Sequence, residues 1–325
     1  MRMPFFALVV ALSATAGELS AAESPTKGSS FAALPQKISS FGACVSDGWV
    51  YVYGGHTGKM HTYSTRDVTG RFFRARLQGG SWQELPAGPP VQGLALVAHK
   101  GYIYRIGGMQ PRNAPGEKAD NYSLTSVARF DTAAGRWQEL TPLPEGRSSH
   151  EAVVVDDQLL VIGGWNMQGN KPPVWHRTAL ALDLNDSKST WRSFEQPFAR
   201  RALGAAVLDG KVYVLGGLTD KGEAVGRVDI YDPKTKSWHQ GIDLPTAGRH
   251  GFSPAACTQS NALYFSGGDG LLHRLEAGKW LVVGKQAVKR LVHRLVPGND
   301  GQIIVLGGNA PGNDSREVEV LRPQR

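Results

Sequence analysis

Short apolar runs recur along this chain in pairs. Residues 42–53 read GACVSDGWVYVY, residues 151–162 read EAVVVDDQLLVI and residues 204–215 read GAAVLDGKVYVL. In each, two arms rich in β-branched and aliphatic residues flank Asp-Gly or Asp-Asp, the pattern of a strand, a tight turn and a second strand. The arms are almost continuously apolar, so both faces are expected to be covered, as in inner strands packed between neighbours. A glycine pair ends each run: Gly54-Gly55, Gly107-Gly108, Gly163-Gly164, Gly216-Gly217, Gly267-Gly268 and Gly307-Gly308, spaced by 53, 56, 53, 51 and 40 residues. Glycine at these points predicts positive φ and a backbone approach too close for a side chain. A third strand follows a variable loop, as at Val228-Asp229-Ile230-Tyr231, and a fourth begins at a tryptophan: Trp82, Trp137, Trp191, Trp238 and Trp280.

A period of about 50 residues with four short strands is the size of one propeller blade. Tyr231 stands seven residues before Trp238, Phe130 stands seven before Trp137, and residues 232–238 read DPKTKSW. With the glycine pairs, these features resemble the kelch-repeat propeller family along nearly the whole chain. The resemblance implies an all-β fold, a six-bladed kelch-type β-propeller. The last unit has its hairpin, its glycine pair and a third strand at 316–321, but no tryptophan and no fourth strand. Residues 30–35 (SFAALP) read like residues 81–86 (SWQELP). An N-terminal strand is therefore expected to complete the last blade, closing the ring and removing its exposed edges. Repeat folds grow without splitting, so residues 23–325 are expected to be one domain.

Residues 1–22 carry Arg2, the apolar stretch 5–12 and then small residues, the pattern of a cleaved signal peptide too short to span a membrane. The expected address is secreted or periplasmic, and no later stretch is long enough to cross a bilayer. Cys44 and Cys257 each lie ten residues before their glycine pair. They should sit on inner strands of blades one and five, which are not neighbours, as two buried thiols rather than a disulfide. The formal net charge is +8, which favours anionic partners. No nucleic-acid motif is present, and an exported protein has no evident use for one.

Candidate chemistry gathers where the chain enters the inner strands. The kelch resemblance places these entries, and the loops after the glycine pairs, around one mouth of the central channel. Blade three supplies Arg147 and His150, blade four Arg200 and Arg201, blade five Arg249 and His250, and blade six Arg290, His293 and Arg294. Guanidinium groups converging from several strands suit carboxylate, sulfate or phosphate, because each bonds two oxygens at once. The competing reading has the same arginines bonding backbone carbonyls and acidic neighbours where blades meet. Trp165 and Trp175 share one long loop of blade three and suggest a platform for a sugar face or a prolyl peptide, or else pins for that loop. Arg112 lies in the corresponding loop of blade two. Acids are few, and Glu151 with Arg201 is the candidate pair for acid–base work. The histidines lack ligand spacing, so no metal is expected, and no cofactor motif is present.

Two functions follow as expectations. One is a secreted propeller that binds an anionic ligand at the channel mouth, an acidic carbohydrate or an acidic peptide, its partner being an anionic small molecule or glycan or else a protein. The other is suggested by similarity in blades, ring size and address to the periplasmic N-acetylneuraminate epimerases. That resemblance implies a sugar mutarotase or epimerase acting on a carboxylated sugar. Galactose oxidase also has kelch repeats, but that family has seven blades and a cysteine–tyrosine metal ligand, which this pattern does not support.

Overall fold

The computed structural model describes residues 30–245, 251–310 and 313–324. The candidate leader 1–22 lies outside them. Every regular element among the described residues is a strand. Five antiparallel sheets have four strands each, in the order inner hairpin, third strand, outer strand. Blade one, for example, consists of Gly42–Ser46, Trp49–Tyr53, Phe72–Arg76 and Gln83–Leu85. Blade three consists of Glu151–Val155, Gln158–Ile162, Thr178–Asp183 and Arg192–Glu195. The inner strand of each blade contacts that of the next, and the sixth contacts the first. The result is a closed six-bladed ring.

The glycine pairs turn the chain at the mouth. Five of the six pairs have positive φ at both residues. At Gly55, with φ 114°, a Cβ would lie 2.7 Å from Ile38 and 2.8 Å from Phe41, so only glycine fits. Blade five departs from the rule: positive φ falls instead on Gly270. Its third strand, Leu271–Glu276, starts almost at once, so this blade sends no long loop over the mouth.

The tryptophans at the start of the outer strands are staples. The indole N–H of Trp137 donates to Pro86 O at 2.8 Å, Trp191 to Thr141 O at 3.0 Å, Trp238 to Glu195 O at 2.9 Å and Trp280 to Ile242 O at 3.0 Å. Each blade thus holds the end of the preceding blade's outer segment, and this explains why the residue recurs at the blade period. Trp82 of blade one follows the same rule, but its acceptor is Ala32 O, 2.9 Å away in the N-terminal segment. The N-terminal segment therefore occupies the outer position of blade six. It is held there by Leu34 N–H to Arg316 O (2.8 Å) and Ile38 N–H to Ser315 O (3.1 Å) rather than by a full ladder. The sheet of blade six accordingly has three strands: Arg294–Pro297, Ile303–Leu306 and Val318–Leu321. Leu34, Ile38 and Phe41 seal the seam against Val50, Val52, Val296, Ile304 and Leu306, all buried. Burying side chains of this kind contributes about 1.5–3 kcal/mol each. Cys44 and Cys257 are free thiols on inner strands of blades one and five.

Candidate functional site

The channel mouth is built in tiers from equivalent residues of the blades. The first tier is a rung pairing the residue after each glycine pair with a residue of the inner-strand entry. Ser39 pairs with His56, Gln92 with Met109, Ser148 with Trp165, Arg201 with Leu218 and Leu291 with Asn309. The next residue in each blade, Ser40, Gly93, Ser149, Ala202, Ser253 and Val292, has φ between 49° and 61°. These residues form a collar of backbone bonds between blades. Gly93 N–H donates to Ser40 O at 2.7 Å, Ser149 to Gly93 O, Ala202 to Ser149 O and Ser253 to Ala202 O, each at 2.8 Å. A left-handed conformation is costly for the β-branched Val292, and the closed ring of packing holds it there.

Below the collar lies the first residue of each inner strand, and here the repeat is broken. Four blades place Gly42, Ala95, Gly204 and Ala255 at this position. Blades three and six, which face each other across the ring, place Glu151 and Arg294 there. The two side chains meet across the channel in a close ion pair. Arg294 Nε also donates to Phe41 O at 2.8 Å and its Nη2 to Leu94 O at 3.3 Å, so the guanidinium spans blades one and two on its way. Burial raises the Glu151 pKa, and the attraction of Arg294 only partly offsets it.

The collar and rungs enclose a cavity of about 450 Å³. Glu151 and Arg294 close its floor. Met60, His61 and Tyr63 of the blade-one loop, Met109, Met167 and Phe252 supply much of its wall. Arg201 is its one arginine or lysine apart from Arg294 among the described residues. The Arg201 guanidinium lies 3.9 Å from the Trp165 ring centre and 5.6 Å from that of Trp175. The two indoles meet edge to face at 5.4 Å. Arg201 makes no ion pair among the described residues, and its Nε has no hydrogen-bond partner. Gln92 Nε2, Asn121 Oδ1 and Trp165 Nε1 lack partners on the same wall. A cavity-lining set with this much unmet hydrogen-bonding capacity is poised for a polar ligand.

The other sequence candidates lie elsewhere. Arg147 Nη1 donates to Gly163 O (3.1 Å) and Thr178 O (2.9 Å). Arg200 Nη1 donates to Gly216 O (2.8 Å) and Arg227 O (2.9 Å), and Arg290 Nη1 to Gly307 O (3.2 Å) and Glu317 O (3.0 Å). All three are buried behind the cavity, tie a glycine pair to its third strand, and have pKa values lowered by burial to about 10. Arg147 bonds carbonyls alone among the described residues, while Arg200 and Arg290 each add a close ion pair, with Asp229 and Glu319. His150 and His293 occupy the slot between blades that Phe41, Leu94 and Leu203 fill elsewhere. Burial, with Arg147 near His150 and Arg290 near His293, pushes both pKa values down, that of His293 to about 3, so both rings are neutral. His150 still borders the cavity. Trp175 sits behind Trp165, and Arg112 is stacked on Tyr122 at 3.6 Å outside the cavity. Arg249 and His250 lie outside the described residues. The sequence reading placed Arg294 at the mouth but left it out of the ligand set. The signal that marks it is its alignment with small residues in four other blades.

Blades three and four, the source of Glu151, Trp165 and Arg201, are also where a family model matches. The Kelch motif covers residues 146–193 and 199–244, one structural repeat each. Two Kelch motifs thus lie within the six-bladed ring. Among curated proteins, the propeller is similar to mouse kelch-like protein 35, with 28% identity over 209 residues covering 64% of the chain and 31% of that protein. It is also similar to zebrafish kelch repeat and BTB domain-containing protein 12, with 27% identity over 220 residues covering 63% and 34%. The matches span about a third of the length of these relatives. The solved structure of YjhT superposes with a TM-score of 0.71 at 15% identity, covering 90% of this chain and 99% of that one. At that identity the likeness shows the shared fold.

Proposed function

We propose that this kelch propeller binds a small anionic carbohydrate in the cavity at its channel mouth, after export from the cytoplasm. The observation that carries the reading is Arg201. It is a cation on the cavity wall, stacked on Trp165 and without a carboxylate partner among the described residues. Stacking fixes the guanidinium plane and leaves its N–H edge to bond a carboxylate. Around it, Gln92 and Trp165 offer donors and Asn121 an acceptor, a set matched to hydroxyl groups. The cavity volume of about 450 Å³ lies in the range of small-ligand sites.

The test is calorimetric titration of the purified protein with acidic sugars and their neutral counterparts, repeated with Arg201→Ala. Acidic sugars should bind, neutral ones weakly, and the variant should lose at least tenfold in affinity while keeping its melting temperature. Equal binding of acidic sugars to the variant would overturn the assignment of Arg201. No response to any sugar would turn attention to a protein partner on the same rim, with the Trp165–Trp175 loop as the surface to mutate.

A second reading is favoured by one observation, the raised pKa of Glu151 on the cavity floor. Interconverting sugar anomers requires taking a proton from the anomeric hydroxyl and delivering one to the ring oxygen, then reversing both steps. A carboxyl whose pKa lies nearer neutrality exchanges protons in both directions more readily than an ordinary one. In this reading Arg201 anchors the sugar carboxylate, Glu151 carries the proton and Arg294 orients Glu151. Exchange NMR between anomers of a bound acidic sugar tests it. Glu151→Gln should bind the sugar yet abolish exchange above the uncatalysed rate, and undiminished exchange removes the mutarotase reading while leaving the binding reading intact.

A further inference from the structure

At the end of blades one and two remote from the mouth lies a second basic feature, unrelated to the cavity. Trp49 opens the second strand of blade one, five residues before Gly54, which places it roughly 15 Å along the strand from the mouth. Arg74 and Arg76 of the adjacent strand, two residues apart, face the same side about 7 Å from each other. Both guanidiniums stack on the Trp49 indole, at 4.1 Å and 3.9 Å from its centre. Blade two repeats the device: Arg129 lies 4.3 Å over Tyr102. In both blades the arginine Nε is steadied by a glutamine of the outer strand, Arg74 by Gln83 at 3.2 Å and Arg129 by Gln138 at 3.0 Å.

None of these three arginines forms an ion pair among the described residues. The acids nearby are engaged otherwise. Asp47 accepts the Ser46 hydroxyl at 2.8 Å, and Asp131 caps its own turn through Ala133 and Ala134 N–H at 3.0 and 2.8 Å. Blade five shows the contrasting arrangement, where Arg274 of the third strand is paired with Glu276. On the inner turn of blade two, His99 and Lys100 are met by Asp157 of blade three at 2.8 and 2.7 Å. Arg74, Arg76 and Arg129 thus stand on the third strands of two adjacent blades, with their guanidinium planes held by aromatic faces.

We propose that this face of blades one and two binds a polyanionic glycan through its sulfate, phosphate or carboxylate groups, independently of the channel mouth. Stacked arginines at fixed separations read charges repeated along a chain, and each can bond two oxygens of one group. The Trp49 and Tyr102 faces that would stack nucleic-acid bases are already covered by guanidiniums. The exposed large apolar residues, Met60, Val174, Ile242, Leu281, Val282 and Val288, are on other parts of the ring, so nothing at this face favours insertion among lipids.

The experiment is binding of the intact protein to immobilised dextran sulfate, with uncharged dextran as control, across a salt series. Wild type should bind dextran sulfate alone, and affinity should fall steeply with salt. Arg74→Gln with Arg76→Gln should weaken binding at least tenfold at unchanged melting temperature, while Arg201→Ala should bind like wild type. If the double variant does not fold, Arg76→Gln alone carries the test, because that side chain is exposed. The proposal falls if these variants bind like wild type. It also falls if single-stranded DNA or anionic vesicles compete as strongly as dextran sulfate, since either would name a different class of partner.

Discussion

Replacing Arg200 by methionine tests whether the buried arginines build the ring. Arg200 is buried and forms a close ion pair with Asp229, which is also buried. It donates to Gly216 O and Arg227 O and stacks on Phe198 at 4.1 Å. Methionine keeps the aliphatic stem in place but leaves the Asp229 carboxylate and two carbonyls without their main donor. Removing one partner of a buried ion pair costs about 3–5 kcal/mol. Arg227 Nε remains 3.0 Å from Asp229, so the lower end applies. The two carbonyls, at the low end of about 0.5 kcal/mol each, add about 1 kcal/mol, giving roughly 4 kcal/mol in all. At about 2 °C per kcal/mol for a chain of this size, the melting temperature should fall by about 8 °C. Thermal unfolding followed by circular dichroism and tryptophan fluorescence measures this, alongside titration with an acidic sugar below the transition. A fall of under about 2 °C, or weakened sugar binding at an unchanged melting temperature, would refute the structural assignment.

The blade-one loop should be pH-sensitive: His56 bonds Asp314 at 3.2 Å and Thr62 O at 2.9 Å, and these contacts outweigh burial and raise its pKa. Its contribution is therefore full below the ordinary histidine pKa and lost as pH rises through the higher folded value. The melting-temperature difference between wild type and His56→Gln should shrink over that window, and a difference independent of pH contradicts it. Burial raises both thiol pKa values, that of Cys257 to about 12, so a thiol reagent at neutral pH should label neither cysteine until the protein unfolds. Gly55→Ala should reduce the yield of folded protein sharply, because a Cβ there overlaps Ile38 and Phe41 in the seam between blades six and one; normal yield and melting temperature would show that the seam can shift.

The fold was legible because its signals are local and repeated. Asp-Gly turns, glycine pairs and a tryptophan at each outer strand all follow from contacts within a blade or with its neighbour, so the same spacing returns along the chain. Blade six was legible for the same reason: residues 30–35 match an outer segment, and Trp82 finds Ala32 O where other blades find the preceding outer segment. That this segment joins through scattered backbone bonds rather than a ladder was not legible, since the pattern of SFAALP does not encode its pairing. The two cysteines fell where strand register placed them. The site was harder. Counting basic residues near the mouth merged four columns of the repeat into one arc, Arg294 standing in the column of Glu151. Arg147, Arg200 and Arg290 form one column with one job, His150 and His293 fill an apolar slot in another, and Arg201 stands alone in a third.

This distinction carries the functional argument further than composition does. A residue that recurs at one position in several blades meets the same surroundings each time, and the simplest cause is a need of the blade itself. Arg147, Arg200 and Arg290 show this by bonding the same two carbonyls in three blades. A residue that breaks a column meets a need the other blades do not share. Arg201 stands where the others have Ser39, Gln92, Ser148 and Leu291, and Glu151 and Arg294 stand where the others have glycine or alanine. Six strands converging on a narrow channel leave room for small residues, or for one large pair on opposite blades. Filling that room with a carboxylate and a guanidinium brings a desolvation cost that a Gly or Ala at both positions would avoid. The blades without the pair close just as well, so the pair is not a need of the ring; it lies where the channel opens into the cavity, beneath an arginine stacked on the wall that makes no ion pair among the described residues.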